Sequence, residues 1–393
     1  MCFGAMLKGL TVGEFAGVGS GNLGISTIAD VYDQHDLFDL LDDEAVLELS
    51  RQGGSAGFAS LSSIRKSTGI RTRRILREGV SAGDLAVRLC ERLECESETD
   101  LRDCHAILLC HSHTDHSACH RLAQSMESSL GLPKGLITPF NYGCTGFLKL
   151  LQEASIESDH MPPGAKIAVL SIETPEFWHD GSDRLFCGLI SAGAVGAIME
   201  HGGGMPLDLI SADDFLIPQN RRPNPDPLFR TERSDVFTFR GAPVRRAVMR
   251  MNPESVFINA IELMLSNLRA AMDSFEPQPH ERVVVIPHQP SAKLLKALVA
   301  TGQPEFPEVE FLNNLSGYGN VISASVPTVL SRLDEVLAQN GRAPMNDGDH
   351  LILLAAGICM THIADQMSAG FAHIRWASVS SAIELEAGVI PHV

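Results

Sequence analysis

Apolar positions fall along this chain in two rhythms. Short continuous apolar runs mark buried strands, and longer stretches with an apolar residue every third or fourth position mark amphipathic helices. In the first half the strand-like runs are AILLCHS from 106, LITPFNYG from 136, KIAVLSIE from 166 and AVGAIMEHG from 194. Helices follow two of them: one to about Leu130, and CTGFLKLLQEAS from Cys144. The second half repeats the rhythm with LDLISADDF, a long helix from about Pro253 to Met272, VVVIPHQ and its helix, VEFLNNLSGYGN with a helix, HLILLAAG and GFAHIRW. Strands alternating with helices predict an α/β sheet with crossover helices.

Other segments read differently. Residues 1–20 are apolar enough for a signal peptide, but Lys8 and Glu14 interrupt them, so they are expected to form the first strand. The acidic, leucine-rich segment Asp30 to Arg51 predicts one or two short helices, and a Gly/Ser-rich stretch to Ser63 ends it. Residues 82–101 read as a helix and a polar loop, and residues 218–248, rich in Pro and Arg, as a loop. Both halves place a glycine-containing strand end directly before a helix, at NYGCTGF and at GYGNVIS. This predicts two similar βα halves, 1–205 and 206–393.

Bulk properties narrow the class. With 393 residues, 44% hydrophobic and 20% charged, the chain has the composition of a globular enzyme with a large core. A net charge of −17 argues against general nucleic-acid binding. No apolar run reaches the ~20 residues of a membrane span. Nine cysteines without a C-x-x-C pair read as reduced thiols, so a cytoplasmic protein is expected.

Three residues stand where sheets of this kind carry chemistry. Cys144 follows Gly143 at a strand-to-helix junction, where unpaired N–H groups and the helix dipole favour a thiolate. A buried structural cysteine fits the junction equally well. His288 stands at the end of an apolar strand, where open α/β sheets place functional side chains. Asn320 stands after Gly317 and Gly319, where it reads as a polar site residue or as a helix N-cap.

Together, NYGCTGF, PHQPS and GYGNVISASVP resemble, in order and spacing, the β-ketoacyl synthase III branch of the thiolase superfamily. The resemblance covers nearly the whole chain, including STGIRTRR, AVGAIME, MNPESVF, GDHLILLAAG and GFAHIRW. It implies a thiolase-like fold with two βα halves packed as αβαβα. Cys144 would take an acyl group from a thioester, with its own backbone N–H and that of Cys359 as the oxyanion hole. His288 and Asn320 would stabilise the enolate formed as a malonyl thioester loses carbon dioxide. Met251 and Phe257, in the MNPESVF segment, would line the acyl pocket.

Substrates of such enzymes ride on phosphopantetheine, as coenzyme A or acyl carrier protein thioesters, and no other cofactor or metal is implied. Arg71, in the run of six basic residues between 65 and 77, would lie on the rim that meets them. The run as a whole reads first as a solvated charged face. Lys293 matches a carrier-docking position, with a plain surface lysine equally open. A homodimer is expected, and a non-decarboxylating acyltransferase is the alternative.

The sequence also departs from the family. The adenine-stacking Trp and a neighbouring Arg fall at Ser63 and Ser67, which favours a carrier protein over coenzyme A. Ile358 and Cys359 replace small residues in the loop after HLILLAAG, so the acyl pocket is expected to be reshaped. With an acidic insertion near the N-terminus, this points to specialised metabolism.

One motif competes. In CHSHTDHSACH, the pattern His111-x-His113-x-Asp115-His116 resembles the dizinc signature of metallo-β-lactamases, with His179, Asp183 and His201 as further candidates. That fold needs strands where residues 82–101 read as helix, and the glycine contexts of its later ligands are missing. In the condensing-enzyme alignment this loop lies at the dimer interface, and His116 and His120 would line the partner's acyl channel. A non-catalytic partner subunit is a further reading, against which the presence of Cys144 stands.

Overall fold

The computed structural model describes residues 22–53, 57–360 and 363–377. The expected strand over residues 1–20 lies outside them. The strands are β1 (Leu23–Asp30), β2 (Phe38–Leu41), β3 (Arg73–Leu76), β4 (Ala106–Cys110), β5 (Ile137–Phe140), β6 (Lys166–Glu173), β7 (Gly193–His201), β8 (Met205–Leu216), β9 (Phe229–Phe237), β10 (Pro243–Met251), β11 (Val283–Pro287), β12 (Val309–Phe311), β13 (His350–Ile358) and β14 (Gln366–Arg375). The helices are α1 (Asp43–Gln52), α2 (Leu61–Thr68), α3 (Ala82–Ser97), α4 (Ser117–Leu130), α5 (Gly146–Ser158), α6 (Arg184–Cys187), α7 (Pro253–Met272), α8 (Ala292–Gly302), α9 (Leu315–Tyr318), α10 (Ser325–Ser331) and α11 (Leu333–Gln339).

Ten strands line up as β12-β11-β13-β14-β8-β1-β7-β6-β4-β5. Read outwards from the β8–β1 junction, each side has the same pattern. Two antiparallel pairings (β8–β14–β13 and β1–β7–β6) are followed by two parallel ones (β13–β11–β12 and β6–β4–β5). The repeat seen in the sequence is therefore a repeat of topology.

Three apolar clusters show why the layers stack. In the middle, Phe147, Leu150 and Leu151 of α5 and Val326, Val329 and Leu330 of α10 pack against strands of both halves, including β6 and β13. Outside the first half, α3 and α4 cover β4 and β6 with Leu85, Leu89 and Leu122. Outside the second half, α7 and α8 cover β11 and β13 with Leu263, Leu268 and Leu294. The arrangement is αβαβα, a thiolase-like fold. Most of α5 is buried, and its polar face is narrowed to Lys149, Gln152, Glu153 and Glu157.

Two segments differ from expectation. Residues 229–251 form the antiparallel ribbon β9–β10 instead of a loop. Ion pairs cross between its strands, Arg250 to Glu232 and Arg245 to Asp235, and charged residues displace the apolar alternation that signals a strand. Within Asp30 to Arg51, the helix α1 is accompanied by strand β2, which pairs with β3.

The basic run is also less solvated than its composition implies. Arg73 is fully buried, donates from Nε to the Gly188 carbonyl at 2.9 Å and pairs with the buried Asp43 at 3.2 Å. Arg65 holds the same carboxylate at 2.6 Å. Removing one partner of a buried pair leaves the other charge without compensation, at about 3–5 kcal/mol. Asp43→Ala is therefore expected to lower the unfolding free energy by about that amount, read from the chemical-denaturation midpoint. The double variant Asp43→Leu/Arg73→Met should recover most of it.

Candidate active site

Cys144 sits in a 3-10 turn, Gly143–Thr145, between β5 and α5. The turn is pressed against the end of β13. A Cβ on Gly143, whose φ is +71°, would lie 2.2 Å from the Ile358 carbonyl oxygen, and one on Gly357 would lie 2.5 Å from Cys144 Cβ and 2.6 Å from its sulfur. Only glycine fits either place. Cys144 keeps part of its surface open, while its thiol lies among groups that solvate an anion poorly.

Burial pushes that thiol up to about 12, outweighing the backbone hydrogen bond from Ile358 that favours the thiolate. The expected stabilisation by the helix terminus is thus corrected: the resting thiol is neutral, because a dipole at a helix end is weaker than the loss of water. The neighbouring Cys359 is also buried.

His288 follows β11 directly, its backbone N–H bonded to the Leu354 carbonyl of β13 at 2.7 Å. This bond extends the parallel ladder by one residue and sets His288 at the carboxyl end of β11, alongside the middle of β13. Its Nδ1 is buried without a hydrogen-bond partner among the described residues. Burial alone drives its pKa down to about 4, so the ring is neutral near pH 7.

Asn320 follows Gly319, whose φ is +71°, and is pinned by two backbone bonds, N–H to Leu189 and carbonyl to the N–H of Ser191. Its Oδ1 accepts from the Ile322 N–H at 2.9 Å and from the Ser325 hydroxyl at 3.3 Å. The side-chain oxygen thus caps the following turn, leaving the amide N–H groups as the free end. That turn, Ile322–Ala324, packs against the Cys144 turn: a Cβ on Gly146 would lie 2.8 Å from Ser323 Cβ. Ile322 holds a left-handed φ of +51°, which costs a β-branched residue about 1–3 kcal/mol.

A family profile described as 3-oxoacyl-[acyl-carrier-protein (ACP)] synthase III C terminal matches residues 277–365, the stretch that holds His288 and Asn320. β-Ketoacyl-[acyl-carrier-protein] synthase III of Fusobacterium nucleatum is 26% identical over 325 residues, 80% of this chain and 90% of that protein. The Pseudomonas aeruginosa protein of the same name is 26% identical over 324 residues, 80% and 88% of the two chains. Over most of its length the chain is similar to β-ketoacyl-[acyl-carrier-protein] synthase III. Among solved structures, the P. aeruginosa 3-oxoacyl-(acyl carrier protein) synthase III aligns with TM-score 0.62 at 20% identity, over 92% of this chain and 98% of that one. OleA of Xanthomonas campestris aligns with TM-score 0.66 at 16% identity, over 91% and 99%. These two share the fold.

The remaining candidates of this synthase III-like chain fall into three places. Met251 and Phe257 are partly buried against the outer core of the second half, which also takes Cys144, Ile358 and Met360. Arg71 and Lys293 are exposed and stand on adjoining turns, because Gly69 packs against Ala292 at the head of α8. Neither makes an ion pair among the described residues; the same is true of Lys66 and Lys296. Ser63 and Ser67, where the family carries Trp and Arg, are spent on α2: the Ser63 hydroxyl donates to the Ser60 carbonyl and that of Ser67 to the Ser63 carbonyl.

The histidine loop is built from local bonds. His111 Nδ1 bonds the Ile172 carbonyl at 2.7 Å, and His113 Nδ1 accepts from the Asp115 N–H at 2.8 Å. Asp115 pairs with Arg121, while His179 bonds the Pro175 carbonyl. Among the described residues no group of three or more His, Cys, Asp or Glu side chains could hold a metal. His116 stands at the head of α4, 3.4 Å from Asn141, and Asn141 also clamps both backbone groups of His113. The loop is thereby tied to the segment that carries Cys144.

Sequence reasoning missed Glu173. It ends β6 with its carboxyl fully buried, accepting at 2.7 Å from Ser112, and burial raises its pKa to about 7. A lone acidic residue closing the apolar run KIAVLSIE was the available signal.

A neutral resting thiol has a measurable consequence. Alkylation of Cys144 by iodoacetamide should accelerate by about tenfold per pH unit from pH 7 to 10, without a plateau. Peptide mass spectrometry, with Cys144→Ala as control, reads it. A plateau near pH 7 would show an activated thiolate instead.

Proposed function

We propose that this protein is a decarboxylative condensing enzyme that loads an acyl group on Cys144 and extends it with a malonyl thioester. The observations that support this most are a partly open thiol seated against the end of β13, a buried neutral imidazole directly after the neighbouring β11, and an amide, its oxygen already taken, ahead of the turn that packs against the Cys144 turn. In the first step the Cys144 sulfur attacks the acyl thioester, and the carrier leaves as a thiol with the proton that Cys144 gives up. The backbone N–H groups of Cys144 and Cys359 receive the negative charge on the tetrahedral oxygen.

In the second step the bond to the malonyl carboxylate breaks, carbon dioxide leaves, and the electron pair passes into the thioester as an enolate. His288 and the Asn320 amide donate hydrogen bonds to the enolate oxygen. A neutral imidazole can donate there without first being charged, which its environment favours. The enolate carbon attacks the acyl-Cys144 carbonyl, giving a β-ketoacyl thioester, and the released thiolate takes up one proton.

The reading extends to the substrates' carriers. Lys66, Arg71, Lys293 and Lys296 form a cationic rim in a chain of net charge −17, suited to the phosphate of phosphopantetheine or to an acidic carrier protein. Without a stacking residue at Ser63, a carrier protein is the preferred donor. Met251 and Phe257 line the acyl pocket, His116 faces the partner's pocket, and the protein acts as a cytoplasmic homodimer in specialised metabolism. Among the described residues no helix is long and apolar enough to cross a membrane.

Intact-mass measurement against a panel of acyl thioesters should show an adduct on the native protein and none on Cys144→Ala. Asn320→Ala should still acylate but lose carbon dioxide release from the malonyl thioester by at least about 100-fold, the scale for lost oxyanion donors. Acyl transfer to another nucleophile with no carbon dioxide released would establish the non-decarboxylating alternative. Arg71→Glu/Lys293→Glu should raise KM for carrier-bound substrate more than tenfold and leave kcat within about twofold.

A further inference from the structure

The inference concerns the orientation of Asn320 and rests on the condensing reading above. Its carbonyl oxygen is held by the Ile322 N–H, and Ile322 sits at a φ of +51°, which a β-branched residue does not adopt unaided. Something must hold that turn. The next residue, Ser323, is fully buried and donates its hydroxyl to Glu173 Oε1, with its backbone N–H on the same carboxyl. Ser112 anchors the carboxyl from the other side, with its hydroxyl on Oε1 at 2.7 Å and its N–H on Oε2 at 3.3 Å. No basic side chain pairs with Glu173 among the described residues. The carboxyl is a buried hub of hydroxyl and amide donors, raised to about 7 by burial.

The location gives the hub its meaning. Glu173 ends β6 as Ile358 ends β13, the strand at the equivalent place in the other half. Ser323 lies in the turn before α10 as Cys144 lies in the turn before α5, and both turns place a positive φ one residue ahead, at Ile322 and Gly143. The second half thus keeps a counterpart of the nucleophile's turn, closed over a carboxyl instead of opened to substrate.

We propose that Glu173 is a positioning residue for Asn320: through the Ser323 hydroxyl it fixes the strained turn whose Ile322 N–H sets which way the Asn320 amide points. Glu173 touches no substrate. Its charge also raises the Cys144 thiol, so the route through the amide is isolated by Ser323→Ala, which leaves the carboxyl in place and spares acyl loading.

The test compares the two half-reactions in the full-length protein. Ser323→Ala removes one oxygen from the link and leaves the carboxyl in place; Glu173→Gln alters the hub itself. Both are expected to slow carbon dioxide release from malonyl thioester at least about tenfold, while acylation of Cys144, read by intact mass, changes less than about threefold in Ser323→Ala, which keeps the Glu173 charge. In an Asn320→Ala background Ser323→Ala should add nothing, because the two act as one unit. Ser112→Ala removes a hydroxyl from the same carboxyl without touching the turn and should cost less than about threefold.

Equal losses for the two serine variants, or equal slowing of both half-reactions in Ser323→Ala, would overturn the positioning role. If Glu173→Gln does not fold, Ser323→Ala carries the comparison alone. Loss of carbon dioxide release in Asn320→Ala but not in Ser323→Ala overturns the positioning role and leaves the condensing reading standing. Retention of release in Asn320→Ala overturns the decarboxylative role of Asn320 and the positioning role with it.

Discussion

The close approach of the Gly143–Cys144 turn to the end of β13 is the constraint on which the rest of the structure depends. Two glycines, one on each side, remove the Cβ atoms that would otherwise keep the chains apart. The approach joins the halves at the point where α5, a helix of the first, enters the space above a strand of the second. Once α5 is buried between both halves, its register against β8 and β14 of the second is fixed by side chains such as Phe147 and Leu150, and the thiol at its head is fixed with it. The same enclosure explains the neutral thiol and the neutral imidazole of His288. Both groups have lost water, and neither faces a compensating charge.

Polar links between the halves reinforce this register. Lys149 of α5 reaches Asp214 of β8 at 2.6 Å, and the Thr145 hydroxyl reaches Ser368 of β14 at 2.5 Å. On the other side, Arg332 grips the buried Asp30 of β1 through two nitrogens. Each ties a group near a central helix to a strand of the opposite half. A sheet divided into two similar halves could slide at its middle, where β1 and β8 share only two paired positions. These links oppose that sliding.

Most of the fold is legible in the sequence because its strands are buried on both faces. A strand such as KIAVLSIE then reads as a continuous apolar run, and the glycine that ends NYG marks the turn before the nucleophile's helix. The ribbon β9–β10 is illegible for the converse reason: ion pairs cross between its strands on an exposed surface, and charged residues carry no period that distinguishes strand from loop. Arg73 shows a second limit. A run of six basic residues looks solvated until Asp43, thirty positions earlier, is brought beneath it, and no local pattern records that pairing. The residues proposed as site residues were readable one by one as strand ends and turn glycines. That their turns and strand ends occupy matching places in the two halves is a property of the repeat, which only the paired order of the strands makes explicit.

Asn320 draws the structural and chemical arguments together. An amide has an acceptor end and a donor end, and in this fold the acceptor is consumed by the turn that follows. Rotating the amide by half a turn would set its N–H₂ against the Ile322 N–H and leave its oxygen facing the site, losing a hydrogen bond and creating a repulsion between donors. The backbone of the turn therefore selects the orientation useful for donating to an enolate, and it does so before substrate arrives. An N-cap and a reaction residue are usually weighed as competing explanations of an Asn ahead of a helix. In the proposed reaction the cap sets up the donor, and the cost of the arrangement falls two residues on, at the left-handed backbone of Ile322.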